Sequence, residues 1–385
     1  MRRLAVLFLL SCLSAQSLAQ RSLPFHNAPG AHAVGLRIVA QVDPRRGYAP
    51  AGARGRPIQT AIWYPAQGGG SPVRYGDYLQ LRGWDDDFGR TPAQRERVLA
   101  EWIGMILEGR SDAAVAAQRQ DVLWAVRDAR PAPGAFPVVV YAPSLSSAAF
   151  ENAEMMEFLA SHGYIVIASP ALGVRTRGQR ADLEHAEAQA ADIRFLLDFA
   201  ATLPHADMTR VTAMGFSFGG LANVLAAARD ERIKALVCLD GTVRYRNALV
   251  RQAAYAQPEK LRTPLLFLAQ RPAPLERQLD SRPDLSGSFL RDMKNADVYL
   301  LTMYAMEHVH FGSAYLRLDP LEFDEYGFDE VAQAYGLAAR YVLNFLNGTM
   351  KGEQAGLDYL RRKPGQVGAP AHSVATRFFP AGRRD

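Results

Sequence analysis

The chain has 385 residues, 49% of them hydrophobic and 22% charged, enough for a sizeable buried core in one large domain or two small ones. The formal charge is +5, and Arg2 and Arg3 at the extreme N-terminus carry part of it, so the remainder is too weak to argue for a nucleic-acid partner. Only Cys12 and Cys238 occur, which excludes a disulfide-built scaffold and a cysteine-ligated zinc, and the balanced, repeat-free composition excludes disordered, collagenous and coiled-coil proteins.

Residues 1–19 read as a secretory signal peptide. Arg2-Arg3 is the charged start, residues 4–10 the apolar stretch, and Ser17-Leu18-Ala19 a small-x-small cleavage site before Gln20. The apolar run is too short to span a bilayer, and no later segment reaches about 18 unbroken apolar residues. A secreted or periplasmic protein is therefore expected. Leu9-Leu10-Ser11-Cys12 also looks like a bacterial lipoprotein cleavage box, so lipidation at Cys12 is the alternative. On either cut Cys238 is left as the one candidate free thiol, in an apolar strand where a buried, inert cysteine is the usual case.

Residues 20–32 are polar, contain Pro and Gly, and read as an N-terminal arm. Two β-like runs follow, 33–42 and 57–65, joined by the turn-rich segment 43–47. Residues 84–130 differ: they are charged, helical in composition, and hold Trp84, Trp102, Ile103, Met105, Ile106, Leu107 and Trp124. They read as a helical insertion over the sheet.

From residue 137 a strict alternation begins. The continuous apolar run at 137–142 suggests a strand buried on both faces, 164–169 reads as a second buried strand, and further strands are expected at 210–215, 235–239, 264–269 and 297–304. Amphipathic helices are expected at 151–161, 181–203, 219–228 and 328–346, the first ended by Gly163. Strands separated by such helices imply an eight-stranded, mostly parallel sheet with right-handed crossovers. Residues 245–295 lack a clear period and read as a second, lid-like excursion. The catalytic domain is taken as 20–350 and residues 351–385 as a C-terminal tail.

The informative stretch is Met214-Gly215-Phe216-Ser217-Phe218-Gly219-Gly220. It places Gly-x-Ser-x-Gly between a predicted strand and a predicted helix, the setting of the nucleophile turn in the α/β-hydrolase fold. That turn must be sharp enough to hold serine in a strained conformation with its hydroxyl projecting, and Gly215 and Gly219 remove side chains that would collide there. The plain alternative is a glycine-rich turn with an inert serine. A serine hydroxyl is a poor nucleophile near neutral pH, so a base must take its proton and an acid must orient the base.

The chain order in this fold is serine, acid, histidine. Asp240 ends the strand at 235–239. The more common place for the acid is the end of the next strand, but there the sequence reads Leu268-Ala269-Gln270-Arg271-Pro272 with no acid before Glu276. That absence favours Asp240 over its bland reading as a turn aspartate bonded to its own backbone. Only His308 and His310, of eight histidines, fall between the last strand and the final helix. His308 is preferred as base and His310 is the alternative, with Phe311 placed to pack the loop. His-x-His also suggests a metal, but the Asp-His that metallohydrolases add is missing, so neither a metal nor an organic cofactor is expected.

The developing oxyanion needs two backbone N–H donors. Phe218, directly after the nucleophile and at a helix N-terminus, is one. The second should come from the loop Pro143-Ser144-Leu145-Ser146, with Leu145 the nominee. Side-chain bonds from Ser144, Ser146 and Ser147 could add to it, although loop serines are usually solvated.

Phe136-Pro137-Val138-Val139-Val140-Tyr141-Ala142-Pro143-Ser144-Leu145, followed by Leu159-Ala160-Ser161-His162-Gly163-Tyr164-Ile165-Val166, resembles the platelet-activating-factor acetylhydrolase branch of the α/β-hydrolases. That branch merges into bacterial proteins called predicted dienelactone hydrolases. The Gly-Phe-Ser-Phe-Gly-Gly turn, the His-x-x-Phe element and the early Trp63-Tyr64-Pro65-Ala66 strand fit it too. The resemblance spans roughly residues 33–350. It implies ester hydrolysis with Ser217 as nucleophile, Asp240 as acid, His308 as base, and Leu145 and Phe218 as oxyanion donors. One departure is that the family has His-Gly where this chain has Ala142-Pro143, and since proline has no N–H the loop can donate only from Ser144 onward.

The expected protein is a secreted serine esterase acting on a small-molecule or lipid ester, touching a membrane only through its lid or a lipid anchor. The rivals are a serine peptidase or amidase on the same fold and a non-catalytic binding protein on a hydrolase scaffold. The apolar residues Trp102, Ile106, Leu107 and Phe289 are read as lid packing rather than a lipid-docking face.

Overall fold

The computed structural model describes residues 23–49, 55–107, 113–245, 247–272, 288–318 and 326–383. The expected leader with Cys12, and Glu276 in the expected second excursion, lie outside the described residues. In chain order the elements are β1 (Ala33–Asp43), β2 (Arg56–Ala66), β3 (Pro72–Arg74), α1 (Tyr75–Leu81), α2 (Pro92–Leu107), α3 (Ala113–Gln118), β4 (Val122–Arg127), β5 (Phe136–Ala142), α4 (Ala153–Ser161), β6 (Ile165–Ala168) and α5 (Leu183–Ala200). They continue with β7 (Ala206–Phe216), α6 (Phe218–Ala227), β8 (Ile233–Leu239), α7 (Asn247–Arg251), β9 (Leu265–Gln270), α8 (Ser288–Asp292), β10 (Val298–Met303), α9 (Ser313–Leu318), α10 (Phe328–Met350), α11 (Gln354–Arg361) and β11 (Val374–Phe379).

The strands form one sheet in the order β11-β10-β9-β8-β7-β5-β6-β2-β1-β4-β3. The block from β6 to β10 is parallel throughout, as continuous apolar runs require of strands covered on both faces. Alternate residues of β8 feed two separate cores. Ala235, Val237 and Leu239 face the layer holding α4 and α10, whereas Leu236 and Cys238 face the layer holding α5 and α6. Cys238 is buried there, and burial pushes its thiol up to about 12.

The sheet has three strands more than the eight expected. β4 falls inside the stretch read as a helical insertion, pairing in parallel with β1 (Val34 opposite Ala125) and antiparallel with β3. Its period-2 signal is short: Leu123 and Ala125 are buried while Val122 is exposed, and charged neighbours mask it. The helical part of the insertion is α2 and α3, and Trp102 packs edge-on against Phe150, with ring centroids 6.1 Å apart. Phe289 is fully buried, whereas Trp102 is only partly so. β11 lies in the expected tail, antiparallel to β10 from Val298↔Phe379 to Met303↔Val374, and α11 buries Leu360 against the same core as α10. The expected tail therefore supplies β11 as one edge strand of the sheet. No helix among the described residues is long and apolar enough to cross a membrane.

Candidate active site

Parallel strands bring their carboxyl ends to one edge, and the loops leaving β5, β7, β8, β9 and β10 meet there. Ser217 lies between β7 and α6 at φ 53°, ψ −116°, a conformation an L-residue keeps only when its surroundings over-determine it. A Cβ on Gly219 would come within 2.0 Å of the Ala142 carbonyl oxygen, and one on Gly215 within 2.6 Å of the Gly219 carbonyl carbon. Glycine at both positions lets the turn close on itself and on the end of β5. The Ser217 N–H donates to the Leu239 carbonyl at 3.0 Å, and its own carbonyl accepts from Gly220 and Thr242.

Asp240 follows β8, is fully buried, and also has positive φ, 43°. One carboxylate oxygen accepts from the Tyr245 hydroxyl at 2.7 Å and the Gln270 N–H at 2.9 Å. The other lies 2.6 Å from His308 Nδ1, and His308 Nε2 lies 2.8 Å from Ser217 Oγ. A carboxylate at Nδ1 selects the tautomer with its proton there, leaving Nε2 to accept from the serine.

The loop carrying His308 is tied at several points. The His308 N–H donates to Gln270 Oε1 at 3.0 Å, the Arg271 N–H to the Met306 carbonyl at 2.9 Å, and Arg271 pairs with Glu307. Phe311 is buried beside Phe216, and Phe216 lies 5.0 Å from the His308 ring. The alternative base His310 is turned inward instead. Its Nδ1 accepts from the Glu307 N–H at 2.9 Å, and burial pushes its pKa down to about 4.

On the other side of Ser217 lies the loop after β5. The Ser144 N–H donates to Glu151 at 2.9 Å and the Ser146 N–H to Gln179 at 2.9 Å. Among the described residues, the N–H groups of Leu145 and Phe218 have no acceptor within the protein. The serines of this loop, expected to be solvated, are bonded inward. The Ser144 hydroxyl donates to Glu151, and Ser146 Oγ accepts from the Gln179 N–H at 2.7 Å. Leu145 is 39% exposed, facing outward between them.

The loop carrying Gln179 is in turn clamped to the insertion. Arg177 pairs with Asp85 and Asp86, Arg82 with Asp85, and Arg90 with Asp86. Burial opposes ionisation of Asp86, but hydrogen bonds from Arg177 and Arg90 outweigh it and hold its pKa down at about 2. At the fully buried Asp85, burial wins over both arginines and the pKa rises. No cluster of three or more His, Cys, Asp or Glu with metal-holding geometry occurs among the described residues.

Sequence reasoning placed Ser217, Asp240, His308, Phe218 and Leu145 around one point and missed their supports: Tyr245, Gln270, Glu151 and Gln179. Gln270 carried a usable signal, standing at the strand end where an acid is more common. Glu151 read only as the start of a helix.

The parallel sheet, its two helical layers and the serine turn after β7 define an α/β-hydrolase. Residues 57–308 match the family model of the X-Pro dipeptidyl-peptidases (S15 family), and the chain belongs to that family. The matched segment contains Ser217 and Asp240 and ends on His308. Among solved structures, a ferulic acid esterase from Streptomyces cinnamoneus superimposes with a TM-score of 0.62 at 22% identity, covering 91% of this chain and 98% of that one. That likeness speaks for the fold. No curated protein matches the chain.

Proposed function

We propose that the protein is a secreted serine esterase that cleaves a carboxylic ester through an acyl-serine intermediate. The observation that carries this reading is the unbroken hydrogen-bonded line from Ser217 Oγ through His308 to Asp240. In the first step His308 Nε2 takes the hydroxyl proton as Ser217 Oγ bonds to the ester carbonyl carbon, and the carbonyl oxygen becomes an oxyanion facing the N–H groups of Phe218 and Leu145. Collapse breaks the bond to the alcohol oxygen, which leaves with the proton from His308. Water then repeats the sequence: His308 deprotonates it, the acyl carbon is attacked, and the acid is released as Ser217 regains its proton.

Ester rather than amide is supported by the motif resemblance to platelet-activating-factor acetylhydrolases, and the structural neighbour bears the name of an esterase. The second reading, a peptidase, is favoured by the family to which the chain belongs. A p-nitrophenyl ester and the matched p-nitroanilide separate the two: the esterase reading expects turnover of the ester to dominate, and a faster anilide reverses it. Export follows from the leader at 1–19 and is checked by the N-terminus of the mature protein, expected at Gln20.

Ser217→Ala should retain the fold, since the turn is held through backbone groups, and lose all covalent labelling by a fluorophosphonate. Labelling that persists in this variant removes Ser217 as nucleophile.

A further inference from the structure

Which N–H group of the oxyanion loop can face a developing alkoxide is decided by what its neighbours bind. Pro143 has none. The Ser144 N–H is directed at Glu151 and the Ser146 N–H at Gln179. Leu145 stands between them with its N–H uncommitted among the described residues. Ser146 is held at φ 59°, a left-handed turn that a non-glycine residue keeps when its neighbours fix it.

Glu151 fixes one end of this loop. Its side chain is fully buried, and one carboxylate oxygen accepts from both the Ser144 N–H and the Tyr141 hydroxyl, the latter at 2.8 Å. The other accepts from the Ser144 hydroxyl. The Asn152 side-chain amide donates to the Tyr141 oxygen at 2.6 Å, so the tyrosine proton is aimed at the carboxylate. The Glu151 backbone carbonyl accepts from Ala314 at 2.9 Å, which seats the residue against α9. Desolvating a carboxylate is expensive, and burial raises the Glu151 pKa even though hydroxyls and a backbone N–H oppose that rise.

We propose that Glu151 is a positioning residue for the oxyanion hole: by holding the Ser144 N–H and hydroxyl, it orients the next peptide so that the Leu145 N–H stands beside that of Phe218. Gln179 secures the far end of the same turn. The inference deepens the reading of Ser217 as an acyl-transfer nucleophile and rests on it. Donors fixed before the reaction need no reorganisation when charge develops, and a buried carboxylate supplies that fixity beside the exposed Leu145.

The test compares an oxygen ester with its thionoester in the wild-type chain and in Glu151→Gln. Sulfur is a weak hydrogen-bond acceptor, so the ratio of the two kcat/KM values reports on the oxyanion donors. In Glu151→Gln that ratio should fall about tenfold, with kcat on the oxygen ester lowered and KM little changed. A purely structural role lowers both substrates alike, and an unchanged ratio overturns the proposal. Should Glu151→Gln fail to fold, Ser144→Ala and Gln179→Ala are read in the same assay, and an unchanged ratio in both overturns it equally. Wild-type protein that neither labels at Ser217 nor cleaves the oxygen ester sinks the parent reading, and this one with it.

Discussion

The two sides of Ser217 are built differently. On the relay side, Asp240, Gln270 and the His308 loop leave the ends of adjacent parallel strands β8, β9 and β10, and neighbouring strands bond directly across the site, as in Gln270 N–H to Asp240. On the proposed oxyanion side a single loop is held from outside the sheet, by the Glu151 carboxylate just before α4 and an amide from the loop before α5. The relay inherits its geometry from the sheet; the oxyanion loop receives its geometry from side chains.

The sharpest way to break the relay is Asp240→Asn, which removes the acceptor that sets the His308 tautomer. By analogy with triad enzymes, kcat should fall on the order of 10³–10⁴-fold. Because the lesion is in proton transfer, oxygen ester and thionoester should lose similar factors; a collapse of their ratio here would erase the distinction between the two sides.

A milder cut on the same side is Tyr245→Phe. It removes one of two donors to the same Asp240 oxygen while the Gln270 N–H remains. A loss of about 1 kcal/mol is expected, or roughly fivefold in kcat/KM, measured in steady state on the p-nitrophenyl ester. A loss as large as that of Asp240→Asn would mean that Tyr245, and not the strand ends, sets the carboxylate.

His310 tests how firmly the relay loop is closed. Its native pKa is pushed down to about 4, against 6.5 for an ordinary histidine, so between these values the unfolded chain binds a proton that the native chain does not. Its contribution to stability is complete above about pH 6.5 and is lost as pH falls toward 4, amounting to on the order of 3 kcal/mol. His310→Asn should flatten the fall in unfolding midpoint across that window, read by thermal melts at stepped pH. Equal slopes in both proteins would show that another group carries the acid sensitivity.

The smallest effect is expected at Cys238. With its thiol buried and pushed up to about 12, it should resist alkylation in the native protein and react once denaturant is added. Rapid native labelling would mean that the core beside the turn opens.

Much of the relay could be read before any coordinates. The glycines flanking Ser217, an acid at the end of one apolar run and histidines after another are local patterns in a fixed chain order. Their supports could not be read that way. Gln179 reaches Ser146 from a polar loop with no periodicity, and β4 and β11 are six-residue strands whose partners lie far away in sequence.

The sequence by itself determined the alternation of strands and helices and the serine turn, because each rests on residues close together in the chain, and the order of the serine's partners, because the fold fixes the sequence in which those local patterns follow one another. The tertiary structure alone decided that His308 faces the serine while His310 turns inward, that Leu145 keeps its N–H uncommitted among the described residues, and that β11 adds an edge strand to the sheet. These outcomes depend on burial and on hydrogen bonds between distant segments, and such pairings exist only once the chain has packed.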